Sequence, residues 1–434
     1  MAWGGGTFLT PNKIIGGAYI NFVSKAAPTA TLLDRGVVAF GFEMDWGVDD
    51  KIFEVVESDI LKNSLELFGY DYADAKLAGV KDIFKNARKL YAFKLNTGGA
   101  KASNDYATAK YKGVRGNDLN VVIENSLDEG ATFVVYLYLG DKLLDSQAVT
   151  TAAELKNNAW VDWKTEASLQ ATAGSKLTGG TNGTASAAEH QTFINACESY
   201  PDINAIGYAG TEDAIKKLYA AWAKNMRNNI GVKLQAVLHK HAADDEGVVN
   251  VENDAIDANV AAAVYWVTGV IAGTAVNKSA TNKRYDGEYE VNANYTQSQL
   301  EKCIQGGKWT LHKVGNEVRV LEDINSLTTV TTEKGEIFKD NQTIRIIDQI
   351  ATAVASVFTS KYLGQVPNNK DGRLSLWADV GKVHQDLADI GALEDFDPKD
   401  ITVEQGDTKK SVMINEAITI VNTMVRLYMT VVVG

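Results

Sequence analysis

The sequence predicts an α/β and α+β multidomain chain, and three observations carry that prediction. From Arg35 onward, apolar strand-type runs alternate with amphipathic helical stretches, the order of a layered sheet. Between about 98 and 175 strands follow one another without helices, and the alternation then resumes, so an antiparallel β module is inserted into the α/β domain. Both ends are extended: the start is turn-rich, and Met424–Gly434 is dominated by β-branched and large apolar residues. The expected division is an arm at 1–25, the α/β domain at 26–97 and 176–334, the β domain at 98–175, an α+β domain at 335–423, and a terminal strand at 424–434.

Residues 1–25 hold a glycine triplet, then Phe8, Pro11, Ile14, Tyr19 and Ile20, too little apolar mass for a core. They read as an arm that packs on something else. Gly36–Phe42 has the continuous apolar character of a strand buried on both faces. Helices follow at Ser58–Phe68, with Ile60, Leu61, Leu65 and Phe68 on one side, and at Lys81–Lys89, leading into the strand Leu90–Leu95. In the β module, Asn120–Glu124, Ala131–Leu139 and Lys142–Val149 are strands joined by hairpin turns at Asp128-Glu-Gly and Gly140-Asp. Gly174–Ser186 is the return loop.

Helix Ala187–Tyr200, strand Ala205–Ala209, helix Asp213–Asn228, strands Lys233–Leu238 and Gly247–Val251, and helix Asp257–Gly273 complete the α/β pattern. The last unit holds helices at Thr343–Tyr362 and near Leu374–Ile390, then an acidic loop. A strand at Ser411–Val421 and the terminal strand close it, joined at Asn422-Thr423. In the terminal strand Val425, Leu427, Met429, Val431 and Val433 alternate onto one face, and Tyr428 falls on the other. Its row of backbone donors and acceptors needs a partner.

Composition excludes several classes. A net charge of −12 argues against nucleic acid, because phosphate binding needs clustered Lys and Arg. Two cysteines, Cys197 and Cys303, make no disulfide framework, which points to a reducing compartment. The start lacks a basic region followed by an apolar one, so no secretory signal is expected. The most apolar run, Ile256–Val276, is interrupted by Asp257, Asn259, Gly269 and Gly273, which suits a packed helix rather than a membrane span. The expectation is a soluble protein made in a cytoplasm, without direct membrane insertion.

No catalytic constellation stands out. His239, His241 and the carboxylates Asp244–Glu246 form the one His/acid cluster, but two imidazoles without a spaced third ligand read as a strand end entering a polar turn. The glycine pairs fit no phosphate-loop pattern. Cys197 reads as a buried structural thiol. Trp160 and Trp163 read as core plus one exposed aromatic rather than a sugar-binding surface. The stretch from Asp386 to Asp407 carries eight carboxylates against Lys399 alone; it is a solvated loop or a docking surface for a basic partner. Neither catalytic residues, cofactor nor metal is expected.

Several segments carry a family resemblance along the whole chain. Gly17–Phe22 is similar to a "PGxYxxF" entry, with Gly16 where proline often stands. Asn277–Gly287 resembles an "SxTxxxYxG" stretch. Gly306 and Asn316–Thr328 resemble a segment written "vrVxxDINTLT". Asn415–Val431 is similar to a "V…AMEKLYMTV" ending, with Val425-Arg426 replacing the acidic-basic pair common there. In these features the chain resembles contractile-tail sheath proteins of myoviruses, defective prophages of Firmicutes and phage-tail-like bacteriocins.

The resemblance implies a structural subunit that polymerises helically around a tail tube and contracts to drive it through a target envelope. It implies an inner, tube-facing domain at 335–423 and outer α/β and β domains. It also implies N- and C-terminal arms that add strands to neighbouring subunits. The arm residues would be Phe8, Ile14, Tyr19, Ile20, Val425, Leu427, Tyr428, Met429, Val431 and Val433. The receiving hairpin would hold Val412, Ile414, Ile418 and Ile420. Partners would be the chain itself, the tube protein, and baseplate and terminator proteins, in a virion tail or tail-like particle assembled in the host cytoplasm. The competing readings are a soluble α/β enzyme with a dispersed site and a surface-layer or adhesin-type glycan binder.

Overall fold

A computed structural model of the protein describes residues 35–127, 132–256 and 259–433. The chain enters a central sheet through β1 (Val37–Phe42), whose apolar run is buried on both faces. The edge strand β2 (Phe53–Val56) follows, then α1 (Glu57–Phe68), which ends where Gly69 turns left-handed at φ +79°. Next come α2 (Ala78–Phe84) and β3 (Lys89–Lys94), the latter parallel to β1 with Val38 opposite Leu90. Strand β2 was not legible in the sequence, and α2 stops at Phe84 instead of running to Lys89.

Between residues 97 and 183 lie two small antiparallel sheets. Their strands are β4 (Lys101–Ser103), β5 (Ala107–Lys112), β6 (Leu119–Asn125), β7 (Phe133–Leu139), β8 (Lys142–Val149), β9 (Val161–Trp163) and β10 (Thr172–Lys176). The sheets are ordered β4-β5-β9 and β10-β6-β7-β8. Leu119, Val121 and Ile123 alternate inward from β6 and meet Val135 and Leu137 of β7. Trp160 and Trp163 are both buried in this core, so the exposed aromatic expected of the pair is absent. The expected return loop Gly174–Ser186 begins inside β10 instead. Trp46, from the loop after β1, stacks on Trp160 with ring centroids 5.3 Å apart and anchors the module to the central sheet.

The chain returns through α3 (Ala187–Cys197), β11 (Ala205–Tyr208), α4 (Asp213–Asn225), β12 (Gln235–His239) and β13 (Val248–Val251). It continues with α5 (Ala263–Gly273), α6 (Gln297–Gln305), β14 (Lys308–Trp309) and the hairpin of β15 (Leu311–Val314) and β16 (Glu317–Val320). The central sheet is ordered β14-β13-β12-β11-β1-β3-β2, parallel except for β2. Helices cover both faces. Val38 and Phe40 pack toward α2 and α5, while Val37 and Ala39 pack toward α3 and α4. Each such buried aliphatic side chain contributes about 1.5–3 kcal/mol.

The glycines that interrupt the apolar run around α5 have a packing role. A Cβ on Gly269 would lie 2.5 Å from the Ile83 carbonyl oxygen, and one on Gly273 would lie 1.9 Å from that of Asn86. Bare backbone lets α5 approach α2 this closely. Among the described residues, no helix is long and apolar enough to cross a membrane.

The last unit is built from α7 (Asn341–Val357), α8 (Lys370–Asp389) and four short strands. These are β17 (Leu393–Glu394), β18 (Thr402–Gln405), β19 (Val412–Asn415) and β20 (Thr419–Ile420). β18 pairs with β19 and β17 with β20, giving two separate two-stranded ladders. The strand expected at Ser411–Val421 is therefore broken at Glu416–Ile418, and among the described residues the terminal segment pairs in no ladder.

Candidate functional site

Helix α7 begins where the Asp340 carboxylate accepts from the amides of Gln342 (2.7 Å) and Thr343 (3.3 Å). Its first half is held against the central domain by buried charge. Arg345 meets Asp323 at 2.6 Å, with both side chains at most 1 % exposed. Arg227, in the wide turn after α4, grips Asp348 with two bonds of 2.7 Å. Burial alone would raise the Asp323 carboxyl, but the Arg345 guanidinium, the Ala280 amide and the Asn341 side chain hold it below the usual carboxylate range. A pair this deep adds little net stability, yet it fixes orientation, because either charge alone would be stranded in a low-dielectric interior.

The second half of α7 presents an apolar stripe. Ile347, Ile350, Ala351, Val354, Ala355 and Phe358 follow helical spacing and line one wall of a groove of about 560 Å³. Leu376 of α8 and Val412 and Ile414 of β19 close it, with Glu416 and Ile418 beyond. Among the described residues β18 and β19 pair only with each other, and a ladder of two strands is too small for independent stability.

Glu416 is tied back by His384, a fully buried α8 residue whose Nε2 lies 3.2 Å from the carboxylate. His384 Nδ1 lies 2.9 Å from the Val380 carbonyl oxygen, and its ring stacks on Phe396. A carboxylate on one side of the ring and a carbonyl on the other favour its protonated, charged form. Burial opposes that charge, but Glu416 and Val380 outweigh it and raise the His384 pKa.

Beyond β20 the chain is clamped and then released. The Gln342 side chain donates to the Val421 carbonyl (3.0 Å) and accepts from the Thr423 amide (3.1 Å), as a neighbouring strand would. Asn422 and Thr343 exchange side-chain contacts on the same spot. Past it Arg426 pairs with Glu322. From there Leu427, Tyr428, Met429, Val431 and Val433 are exposed, with Leu427, Tyr428 and Val433 near 90 %. An exposed apolar row of this length is uncommon on a soluble monomer.

The predicted residues sort as follows. Val412 and Ile414 sit in the groove on β19, Ile418 lines its end, and Ile420 lies on β20, so they belong to two ladders rather than one hairpin. Val425 to Val433 lie in the exposed terminal segment. Phe8, Ile14, Tyr19 and Ile20 lie outside the described residues.

His239 Nε2 meets Asp254 at 2.9 Å, while Asp244 caps Thr328 and Thr329 and Glu246 pairs with Lys334. The cluster is thus spent on separate structural bonds. In the acidic stretch, Asp386 pairs with Lys382, and Asp397 caps a short turn by accepting from the Lys399 amide. Among the described residues Glu394, Asp400, Glu404 and Asp407 have no ion-pair partner. Sequence reasoning missed Gln342, Glu322 and the two buried ion pairs, since each joins residues 22 or more apart with no local pattern.

Comparison with known proteins bears on this geometry. Residues 97–182 match the family described as the phage tail sheath protein beta-sandwich domain. Residues 183–326 match the central domain and 333–434 the C-terminal domain of the same protein type. The phage-like element PBSX protein XkdK of Bacillus subtilis is 28% identical over 98% of this chain and 99% of its own. Among solved structures, a sheath tail protein from Desulfitobacterium hafniense is 33% identical, covers 94% of this chain and 97% of its own, and superposes with a TM-score of 0.83. One from Listeria innocua is 27% identical, covers 90% and 93%, and gives 0.77. The anti-feeding prophage helical sheath in its contracted state, at 12% identity, 96% and 99% coverage and a TM-score of 0.54, shares the fold.

Proposed function

Because the chain belongs to the phage tail sheath family, we propose that it is the repeating subunit of a contractile sheath. Copies polymerise helically around a tail tube, and the lattice shortens to drive that tube through a target envelope. The observation that carries this reading is the exposed apolar tail at 424–433, rooted beside an open apolar groove and a strand edge that no described residue pairs.

In the proposal the tail of one subunit adds to the 402–420 ladders of the next, its Val and Leu side chains entering that subunit's groove. On the order of five backbone hydrogen bonds form, each worth about 0.5–1.5 kcal/mol net. The preformed groove lowers the ordering cost that would otherwise cancel them. Each copy gives and receives, so the contact is heterologous and extends without closing.

The segment 1–25 serves as the second arm, 335–423 faces the tube, and 26–97, 98–175 and 176–334 lie outside it. Tube, baseplate and terminator proteins are the other partners, in a tail or tail-like particle assembled in the host cytoplasm. The role is mechanical rather than enzymatic. Energy is stored at assembly in an interface with two stable arrangements, and the anti-feeding prophage sheath of the same fold offers a parallel in its contracted state. The buried Arg227–Asp348 and Arg345–Asp323 pairs support motion of the α7 unit and the central domain as one body.

Electron microscopy of the purified full-length protein tests the proposal. Hollow helical tubes are expected, and deletion of 424–434 is expected to abolish them while circular dichroism stays unchanged. Compact discrete oligomers from the intact chain, or long tubes from the truncated one, would overturn it.

A further inference from the structure

The central sheet reverses its winding between β1 and β11. The chain starts at β1, moves to β3 on one side, and then returns to build β11, β12, β13 and β14 on the other. In parallel sheets wound this way, the loops leaving the carboxyl ends of the two central strands part in opposite directions and leave a crevice. Here it measures about 430 Å³. Glu43 follows β1, Glu212 precedes α4, and the rings of Tyr208 and Tyr265 stand in its walls.

Three features distinguish this crevice from a packing gap. First, among the described residues neither Glu43 nor Glu212 has an ion-pair or side-chain hydrogen-bond partner, and Lys76 at the rim is already engaged by Asp45 at 3.3 Å. The crevice is therefore lined by two exposed carboxylates that no cation of the described residues pairs.

Second, His190 lines the crevice although only 3 % of it is exposed. Its Nδ1 lies 2.9 Å from the buried Tyr219 hydroxyl, while Nε2 has no partner among the described residues. Burial lowers its pKa to about 4, so the ring is neutral and does not repel a cation. When Nδ1–H donates to the Tyr219 oxygen, Nε2 is left as an acceptor, the form that an N–H donor selects. Third, Tyr265 lies parallel to Phe42 at 6.0 Å, which sets an aromatic wall beside the two carboxylates.

We propose that this crevice binds a small organic cation bearing an ammonium or guanidinium group. Its N–H groups donate to Glu43, Glu212 and His190 Nε2, and its charge rests against the tyrosine rings. The charge pattern excludes phosphate and carboxylate ligands. Among the described residues no cluster of three or more His, Cys, Asp or Glu groups is arranged to hold a metal ion, which turns the choice to an organic cation. The site is independent of the tail and groove.

Saturation-transfer difference NMR on the full chain reads such binding whether or not subunits assemble. The probes are putrescine and agmatine, with 1,4-butanediol as the neutral match in length. Saturable transfer to both amines and none to the diol is expected. The E43Q/E212Q double variant, altered only at exposed positions, is expected to bind roughly tenfold more weakly. No transfer to the amines, equal transfer to the diol, or unchanged binding by the double variant would overturn the proposal.

Discussion

Arg227 and Asp348 meet in a two-pronged ion pair, 2.7 Å on each arm, that joins the end of α4 to the middle of α7 across 121 residues of chain. Arg227 also donates to the Leu234 carbonyl at 3.0 Å, so the guanidinium is committed on three sides. Asp348→Ala leaves a buried cation without its partner and is expected to cost about 3–5 kcal/mol. The R227M/D348L double variant is expected to recover most of that loss. Urea denaturation followed by circular dichroism distinguishes the two, and equal losses in both would refute the argument.

The groove beside α7 invites a filling test. Ala351 lies on the apolar stripe and is only partly buried, so Ala351→Trp occupies the space without displacing core atoms. The melting temperature is expected to change by less than about 2 °C. Assembly, measured by sedimentation velocity, is expected to fail. Normal tubes from this variant would mean that the groove stays open in the lattice.

Asp82 is fully buried, and burial pushes its pKa up to about 7. Its Oδ1 accepts from the Glu288 amide at 2.6 Å, while Oδ2 has no partner. With an unfolded value near about 3.9, the folded state holds the extra proton, so stability falls as pH rises from about 4 to about 7 and then levels. Asp82→Asn keeps the acceptor and removes the titration. It is expected to gain up to about 4 kcal/mol at pH 8 and nothing at pH 4. A gain independent of pH would exclude the titration as its cause.

His384 works in the same sense at higher pH, but there the protonated form is the charged one. Its raised folded pKa means that its contribution is fully present below about 6.5 and is lost as pH climbs through the folded value. Glu416→Gln is expected to lower the folded pKa of His384, read from its imidazole resonances by NMR, and to flatten stability above neutrality. An unchanged titration would show that Glu416 does not hold the ring charged.

What the sequence disclosed and what it withheld follow from where the information sits. Strands β1, β3, β11, β12 and β13 announce themselves because burial on both faces forces continuous apolar runs. Short edges such as β2, β4 and β14 have two to four residues, too few for a period to register. Helix α6 is only nine residues long, and its apolar side is the short set Leu300, Cys303 and Ile304, although its Thr296–Gln299 capping box was there to be read.

The alternating face of 424–433 was legible, because alternation is local. Its anchor was not. Gln342 recognises Val421 and Thr423 from about 80 positions away, and nothing in either segment names the other. The same holds for Trp46, which fills the β module's core from a loop outside it.

The Gln342 contact also decides how force would enter the molecule. A pull on residue 424 arrives at Thr423, where the ladder behind it is only two residue pairs long and easily peeled. Gln342 offers a second route for the load, through the first turn of α7 and on, by way of Arg345 and Asp348, to the interior of the seven-stranded sheet. Traction on the tail is thus shared with the buried core of the chain, as a cleat relieves the knot behind it.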